Sequence, residues 1–393
     1  MKPVISPDVI YIGQDCPEAD LFEGQYDLPE GMCYNSFVIL DEKVAVMDTV
    51  DALVSEAWRS DLLAALGGRV PDYLVVHHME PDHSAQVVWA MEHFPQMKLV
   101  CSAKALAMIP LYFPEADFAG RTLTVAEGDT LVLGRHTLRF FAAPMVHWPE
   151  VMVSFDEADG LLFSADAFGK FGVYGAEPDD WACEARRYYF NICGKYGASV
   201  SALLRKVEPL PLKMILPLHG PLLSGEAMSS ALALYKVWSA YGSETEGVFV
   251  AHASFHGHTS EAAQTLAQML RESGCPKVAV SDLTREDPAE AVEDAFRYPV
   301  IVVAATTYDG SYHPAAQKLL TTLKAKAWQG KTVALIENGS WAPQAARLMR
   351  AELETCKNIT FIEPAVTLRG AVKSSDIAAL RTLCDSIMKT LKN

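Results

Sequence analysis

In the first part of the chain, apolar residues fall in short runs separated by polar turns. Residues 35–50 (NSFVILDEKVAVMDTV) predict two strands joined by an Asp-Glu-Lys turn, and 73–77 (YLVVH) a buried strand. Residues 55–68 predict a helix with a Ser55 N-cap and a terminal glycine, and 84–94 a second helix directly after a polar cluster. Strands return over 122–163, so the region reads as a mixed α/β sandwich. After about Glu246 the rhythm changes to five apolar strands alternating with five amphipathic helices, which begin at or near Thr259, Ala289, Pro314, Ala342 and Ser374. Continuous apolar strands each followed by a helix are what a parallel sheet covered on both faces requires, and its ligand belongs at the carboxyl ends of the strands. Residues 240–247 (AYGSETEG) are small and polar and make the best linker, dividing the chain into 1–246 and 247–393.

Composition narrows the function. The chain has 393 residues, 50% hydrophobic and 21% charged, enough for two or three folded domains at about 150 residues each. A net charge of −16 has the wrong sign for neutralising nucleic-acid phosphates or anionic lipid. The N-terminal stretch does not read as a secretory signal, and no apolar run approaches the roughly 18–20 residues of a membrane span, so a soluble cytoplasmic protein is expected. The eight cysteines form no CxxC pair, which indicates neither a disulfide framework nor a thiolate metal site.

The densest chemistry lies in His77-His78-Met79-Glu80-Pro81-Asp82-His83, after one strand and before a helix. In extended chain, alternate side chains share a side, so His78, Glu80, Asp82 and His83 can converge while His77 points away as a structural residue. Two imidazoles and two carboxylates crowded together without a cation repel one another and resist desolvation, which favours a bound metal. His147, Asp166 and His219 each stand just past an apolar strand, and together the seven residues suffice for two metals bridged by one carboxylate. His93 and His136 fall outside every cluster.

In the second half the first strand runs into Ser254-Phe255-His256-Gly257-His258-Thr259, where hydroxyls, a glycine and free N–H groups open a helix, as a phosphate requires. The third strand ends in Thr306-Thr307-Tyr308-Asp309-Gly310 and the fourth in Glu337-Asn338-Gly339-Ser340-Trp341. In a 2-1-3-4-5 sheet these three loops adjoin at the switch point.

The order HxExDH, then His147-Trp148-Pro149, then Phe163-Ser164-Ala165-Asp166-Ala167-Phe168-Gly169, then His219-Gly220-Pro221, with Tyr34-Asn35-Ser36-Phe37 upstream, resembles the metallo-β-lactamase fold. Glu80 at the second ligand position and the flavodoxin-like half resemble the flavodiiron proteins (A-type flavoproteins) over nearly the whole chain. The resemblance implies an α/β fold: a metallo-β-lactamase-like αββα sandwich followed by a flavodoxin-like doubly wound five-stranded parallel sheet. It implies one iron at His78, Glu80 and His147, a second at Asp82, His83 and His219, and Asp166 bridging them; in some members the histidine matching His83 turns away. It also implies FMN, its phosphate held by Ser254, His256, Gly257, His258 and Thr259 and its ring flanked by Thr306, Thr307, Tyr308, Asp309 and Gly310 and by Asn338, Gly339, Ser340 and Trp341. The third loop departs from the family's Gly-Trp-Ser-Gly, and Trp341 either stacks on the flavin or caps a helix. The activity implied is an oxygen or nitric oxide reductase: dioxygen reduced to water, nitric oxide to nitrous oxide, or both, with electrons from an external rubredoxin-like donor and a head-to-tail homodimer joining flavin to iron. A zinc hydrolase of the same fold and a flavin electron carrier or sensor are the alternatives. Replacing a histidine by the hard anionic oxygen of Glu80 favours redox-active iron over zinc.

Overall fold

The computed structural model describes residues 3–175 and 181–392. The chain divides into two compact units, Met1–Tyr189 with Tyr196–Lys236, and Phe190–Lys195 with Val237–Asn393.

The first unit is a sandwich of two six-stranded sheets. One runs in the order Val9–Tyr11, Phe37–Leu40, Val44–Met47, Tyr73–Val75, Lys98–Ser102, Thr122–Val125. The other runs Thr130–Val132, Thr137–Ala142, Met152–Asp156, Leu161–Phe163, Met214–Leu216, Leu223–Ser224. Phe37, Met47, Val75, Phe140, Phe163 and Leu216 fill the space between them. The hairpin expected over 35–50 is present, its strands paired Phe37 to Met47 through Leu40 to Val44. The helix after it, Ser55–Leu66, ends on Gly67 in the left-handed conformation, as expected. Its start differs: a short 3-10 turn Ala52–Val54 leads into it, and Asp51, accepting from Leu53 N at 2.7 Å, caps that turn, while Ser55 is already helical.

The second unit has the strand order Val278–Asp282, Val248–Ala253, Val300–Tyr308, Thr332–Asn338, Thr360–Phe361, all parallel, which is 2-1-3-4-5. The fifth position is shared by Thr360–Phe361 and Val366–Leu368. Helices His258–Glu272 and Ser374–Leu391 pack Leu266, Leu270, Leu383 and Ile387 against Val250, Val302 and Ile336. The fourth helix starts at Ala345, three residues later than the pattern suggests. Residues 240–247 are not a free tether. Ser243 Oγ accepts from the buried Lys331 Nζ at 2.8 Å, the N–H groups of Glu244 and Thr245 donate to Arg297 O, and Arg297 Nε donates to Thr245 Oγ1 at 3.0 Å. Lys331 also donates to Phe296 O at 2.6 Å, has no carboxylate partner among these bonds, and is pushed down to about 7 by burial.

Candidate functional site

Both sheets of the sandwich deliver ligands past their strand ends: His78, Glu80, Asp82 and His83 after Tyr73–Val75, His147 after Thr137–Ala142, Asp166 after Leu161–Phe163, and His219 after Met214–Leu216. The HxExDH segment is not extended throughout. Pro81 occupies the first position of a helical turn, Pro81–Ser84, and it is this turn that brings the sequence neighbours Asp82 and His83 to the same side. His77 does point away: its Nδ1 meets Asp48 Oδ2 at 2.5 Å and its Nε2 meets Ser154 Oγ at 2.8 Å. Ala165, beside Asp166, sits at φ 51°, and Met145, two residues before His147, at φ 67°. Such left-handed backbone costs a non-glycine residue on the order of 1–3 kcal/mol and persists where surrounding structure enforces it. Here Leu218 N donates to Ala165 O at 2.9 Å, tying the Asp166 loop to the His219 loop.

The seven side chains form two groups, His78–Glu80–His147–Asp166 and Asp82–His83–His219, all buried. In the first, Glu80 Oε2 lies 3.0 Å from His78 Nε2 and 2.9 Å from His147 Nε2, and Asp166 Oδ2 lies 3.1 Å from His147 Nε2. In the second, Asp82 Oδ2 lies 3.3 Å from the Nε2 atoms of both His83 and His219, which are 3.0 Å from each other. Asp166 joins the groups, its Oδ1 lying 3.2 Å from His83 Nε2. Ligand atoms about 3 Å apart are what a cation with bonds of about 2.0–2.2 Å holds around itself. Both oxygens of Asp82 and both of Asp166 lack a hydrogen-bond partner among the described residues, so lone pairs converge on spaces with no donor in them. The donor set therefore fits two cations.

The protonation equilibria of the metal-free cluster carry the same message. Burial opposes charge on His78, yet Asp166, Glu150 and Glu80 hold its pKa well above the ordinary value. His147 is likewise raised to about 9 by Asp166 and Glu80 against burial, and Glu80 is lowered to about 2 by His147 and His78. Burial is overcome in the same way at His83, raised by Asp82 and Asp166. Protons thus stand where cations would.

Sequence reasoning missed the partners behind the ligands. Glu150 Oε1 accepts from His78 Nδ1 at 2.7 Å and from Met79 N at 3.0 Å, fixing the tautomer that leaves Nε2 for a metal. Cys33 O accepts from His219 Nδ1 at 2.8 Å. Glu150 directly follows the His-Trp-Pro segment, the one signal that could have exposed it. His136 does gather with Asp156 and Asp159, but its two nitrogens meet Asp156 and Arg135, and Arg135 also pairs with Asp159, so the ligand atoms of this group already have partners. A cavity of about 460 Å³ opens onto Glu80 and Asp82, lined also by Tyr34, Phe22 and the acids Glu18, Asp20, Glu23 and Asp51.

In the second unit, a cavity of about 680 Å³ lies where the first, third and fourth strands end. Ser254, His256, His258 and Thr259, Thr306 to Gly310, and Asn338 to Trp341 all line it, together with Phe255, Ala342, Gln344 and Gly370, which sequence reasoning had not picked out. Gly257 does not line it; at φ 89° it is the N-cap of His258–Glu272, and its N–H donates to Ser254 Oγ at 3.0 Å. That left-handed turn aims free N–H groups of the helix start at the cavity, a cradle suited to a phosphate. Residues 306–310 are less a loop than a hairpin: the third strand continues to Tyr308 and turns back through Asp309 and Gly310, both at positive φ, into Ser311–Tyr312. Trp341 is 89% exposed and four residues before the helix that begins at Ala345, so it caps no helix and stands free at the cavity rim.

A family model described as ODP family beta lactamase matches residues 32–220, and one described as Flavodoxin domain matches 249–371. The anaerobic nitric oxide reductase flavorubredoxin of Vibrio vulnificus is 29% identical over 370 residues, covering 89% of this chain and 74% of that protein. The crystal structure of the flavodiiron protein from Giardia intestinalis superposes with a TM-score of 0.92 at 25% identity, covering 100% of this chain and 98% of that one. Rubredoxin oxygen:oxidoreductase from Desulfovibrio gigas gives 0.90 at 22% identity, covering 100% and 99%, which shows a shared fold. With its beta-lactamase-like part and its flavodoxin part in this order, the chain shares the domain order and the fold of the flavodiiron proteins along its whole length.

Proposed function

We propose that the chain reduces dioxygen to water, nitric oxide to nitrous oxide, or both, at a pair of iron ions supplied with electrons by FMN. The observation that carries this reading is Asp166, whose two unpartnered oxygens face the two ligand groups. His78, Glu80 and His147 would hold one iron, and Asp82, His83 and His219 the other. His83 is included because its Nε2 faces Asp82, Asp166 and His219. Bound there, ferrous ions supply the redox-active centre at which the gas is reduced, and FMN bound in the flavodoxin half passes on electrons from the donor.

The chain's own residues fit those roles. Three carboxylates, Glu80, Asp82 and Asp166, favour the higher-charged state of a redox metal. Glu150 and Cys33 O orient His78 and His219. The acidic lining of the cavity repels anionic substrates such as phosphodiesters and is indifferent to small neutral gases, which separates this reading from a hydrolase of the same fold. The donor would be a rubredoxin-like site outside these 393 residues, whose eight cysteines contain no CxxC pair. A head-to-tail homodimer would join the flavin of one copy to the iron of the other. A cytoplasmic location belongs to the same proposal, a reducing compartment being where eight cysteines with no CxxC spacing would stay as thiols.

Anaerobic reduction followed by rapid mixing with each gas, on protein of assayed iron content, tests the proposal. Flavin reoxidation coupled to gas consumption is expected. Iron-loaded protein whose reduced flavin ignores both gases overturns it.

A further inference from the structure

The third wall of the flavin cavity lacks the family's glycine-rich turn, and the structure supplies another device in its place. Glu337, on the strand Thr332–Asn338, is buried, 7% exposed. Its Oε2 accepts from Ala346 N at 2.9 Å, at the start of the helix Ala345–Leu353, and its Oε1 accepts from Thr367 Oγ1 at 2.8 Å, on the strand Val366–Leu368. The next residue, Asn338, pairs both ends of its amide with the backbone of Gly370, which lines the cavity. At the far end of the wall, Thr307 Oγ1 accepts from Gln344 N at 3.0 Å and Ala345 N at 3.1 Å. Between these anchors the chain folds back so tightly that a Cβ on Gly339 would come within 2.8 Å of Pro343 Cα.

A buried carboxylate is costly to keep unless its hydrogen bonds are satisfied and nearby dipoles favour it. Glu337 meets both conditions at a helix N-terminus. The same contacts tie the fourth strand, the following helix and the fifth strand into one rigid backing for Asn338 to Trp341. We infer that Glu337 is a positioning residue of the flavin site: through Ala346 and Thr367 it fixes the third wall, and its fixed negative charge lowers the reduction potential of the flavin held there. Reduction adds electron density to the flavin, and a buried anion one residue from the cavity-lining Asn338 opposes that gain through the low-dielectric wall. The inference rests on the flavin-binding reading of the cavity.

Glu337→Gln isolates the charge. The glutamine oxygen can still accept from Ala346 N, and its amide can donate to Thr367 Oγ1, because a hydroxyl serves as donor or acceptor. Thr367 is exposed, so Thr367→Val removes one anchor without disturbing the core. FMN binding to flavin-depleted full-length protein and spectroelectrochemical titration of the reconstituted protein give the readouts. For Glu337→Gln, FMN affinity within about threefold of the parent is expected, with a higher midpoint; a tenfold change in the two-electron equilibrium would read as about 30 mV. For Thr367→Val, weaker FMN binding at an unchanged midpoint is expected. An unmoved or lowered midpoint in Glu337→Gln overturns the role of the charge, and unchanged binding in Thr367→Val overturns the positioning role. Should Glu337→Gln fail to hold FMN, the Thr367→Val binding measurement decides. Failure of the parent protein to bind FMN defeats the flavin reading itself, before either variant is compared.

Discussion

The two candidate sites are built from opposite materials. The metal cluster is made of side chains, all buried, among which the oxygens of Asp82 and Asp166 have no hydrogen-bond partner among the described residues. The flavin cavity is lined from three strand ends and a helix start, and it is open at a rim where Phe255 and Tyr308 are each 43% exposed and Trp341 89%. A site of side chains is fixed by the identity of each residue, so losing one is expected to be drastic. A large open site lined by many residues spreads recognition over many weak contacts, so single losses should be graded.

The largest effect sharpens that contrast. Asp166→Ala should abolish gas consumption and lower the iron content, by more than the 10–100-fold typical of losing an outer partner, while flavin absorbance stays intact. Full turnover in that variant would sink the bridging assignment. Glu150→Ala should weaken iron binding by about 10–100-fold, because His78 loses the acceptor that orients it. Metal titration of the variant checks this, and an unchanged affinity would reduce Glu150 to packing.

Next comes pH, acting on the metal-free protein. His147 is raised from 6.5 to about 9, so its pairing stabilises fully below 6.5 and fades as pH rises through about 9. Glu80 is lowered from 4.5 to about 2, so its contribution is present above 4.5 and is lost as pH falls through about 2. Metal must displace the His147 proton together with those of His78 and His83, so iron affinity should fall at least about tenfold per pH unit below about 9. Titrations between pH 6 and 9 with no such slope would contradict a cation-free cluster held by protons. Smallest is Trp341→Ala, which should weaken FMN binding only about 3–10-fold, the scale of one aromatic contact. Fluorescence titration with FMN measures it, and a total loss of binding would mean that the cavity depends on one residue after all.

The same division explains what could be read from the sequence. His78, Glu80, Asp82 and His83 announce themselves because four ligands of three types crowd into six residues and repel one another without a metal. The alternation argument for them stops at Pro81, since it treats as extended a segment that Pro81 turns helical. Glu150 was overlooked because an acid acting behind a ligand has no spacing rule of its own. In the second half the strand order told which loops meet, but Gly370 and Gln344 reach the cavity from the fifth strand and the next helix start, with no chemical mark to distinguish them. The linker reading of 240–247 left out how the segment is anchored for a related reason. Small polar residues describe a flexible segment and an anchored one equally well, and only the partner, Lys331, tells them apart.

That lysine bears on how the protein can be taken apart. A recombinant flavin-binding fragment begun at residue 247 would discard Ser243 and strand an ammonium inside the remaining core with Phe296 O as its surviving acceptor. A fragment begun at Val237, where the compact second unit resumes after its Phe190–Lys195 part, keeps Ser243 as well as the Arg297 bonds. The place to cut lies upstream of the change in sequence rhythm.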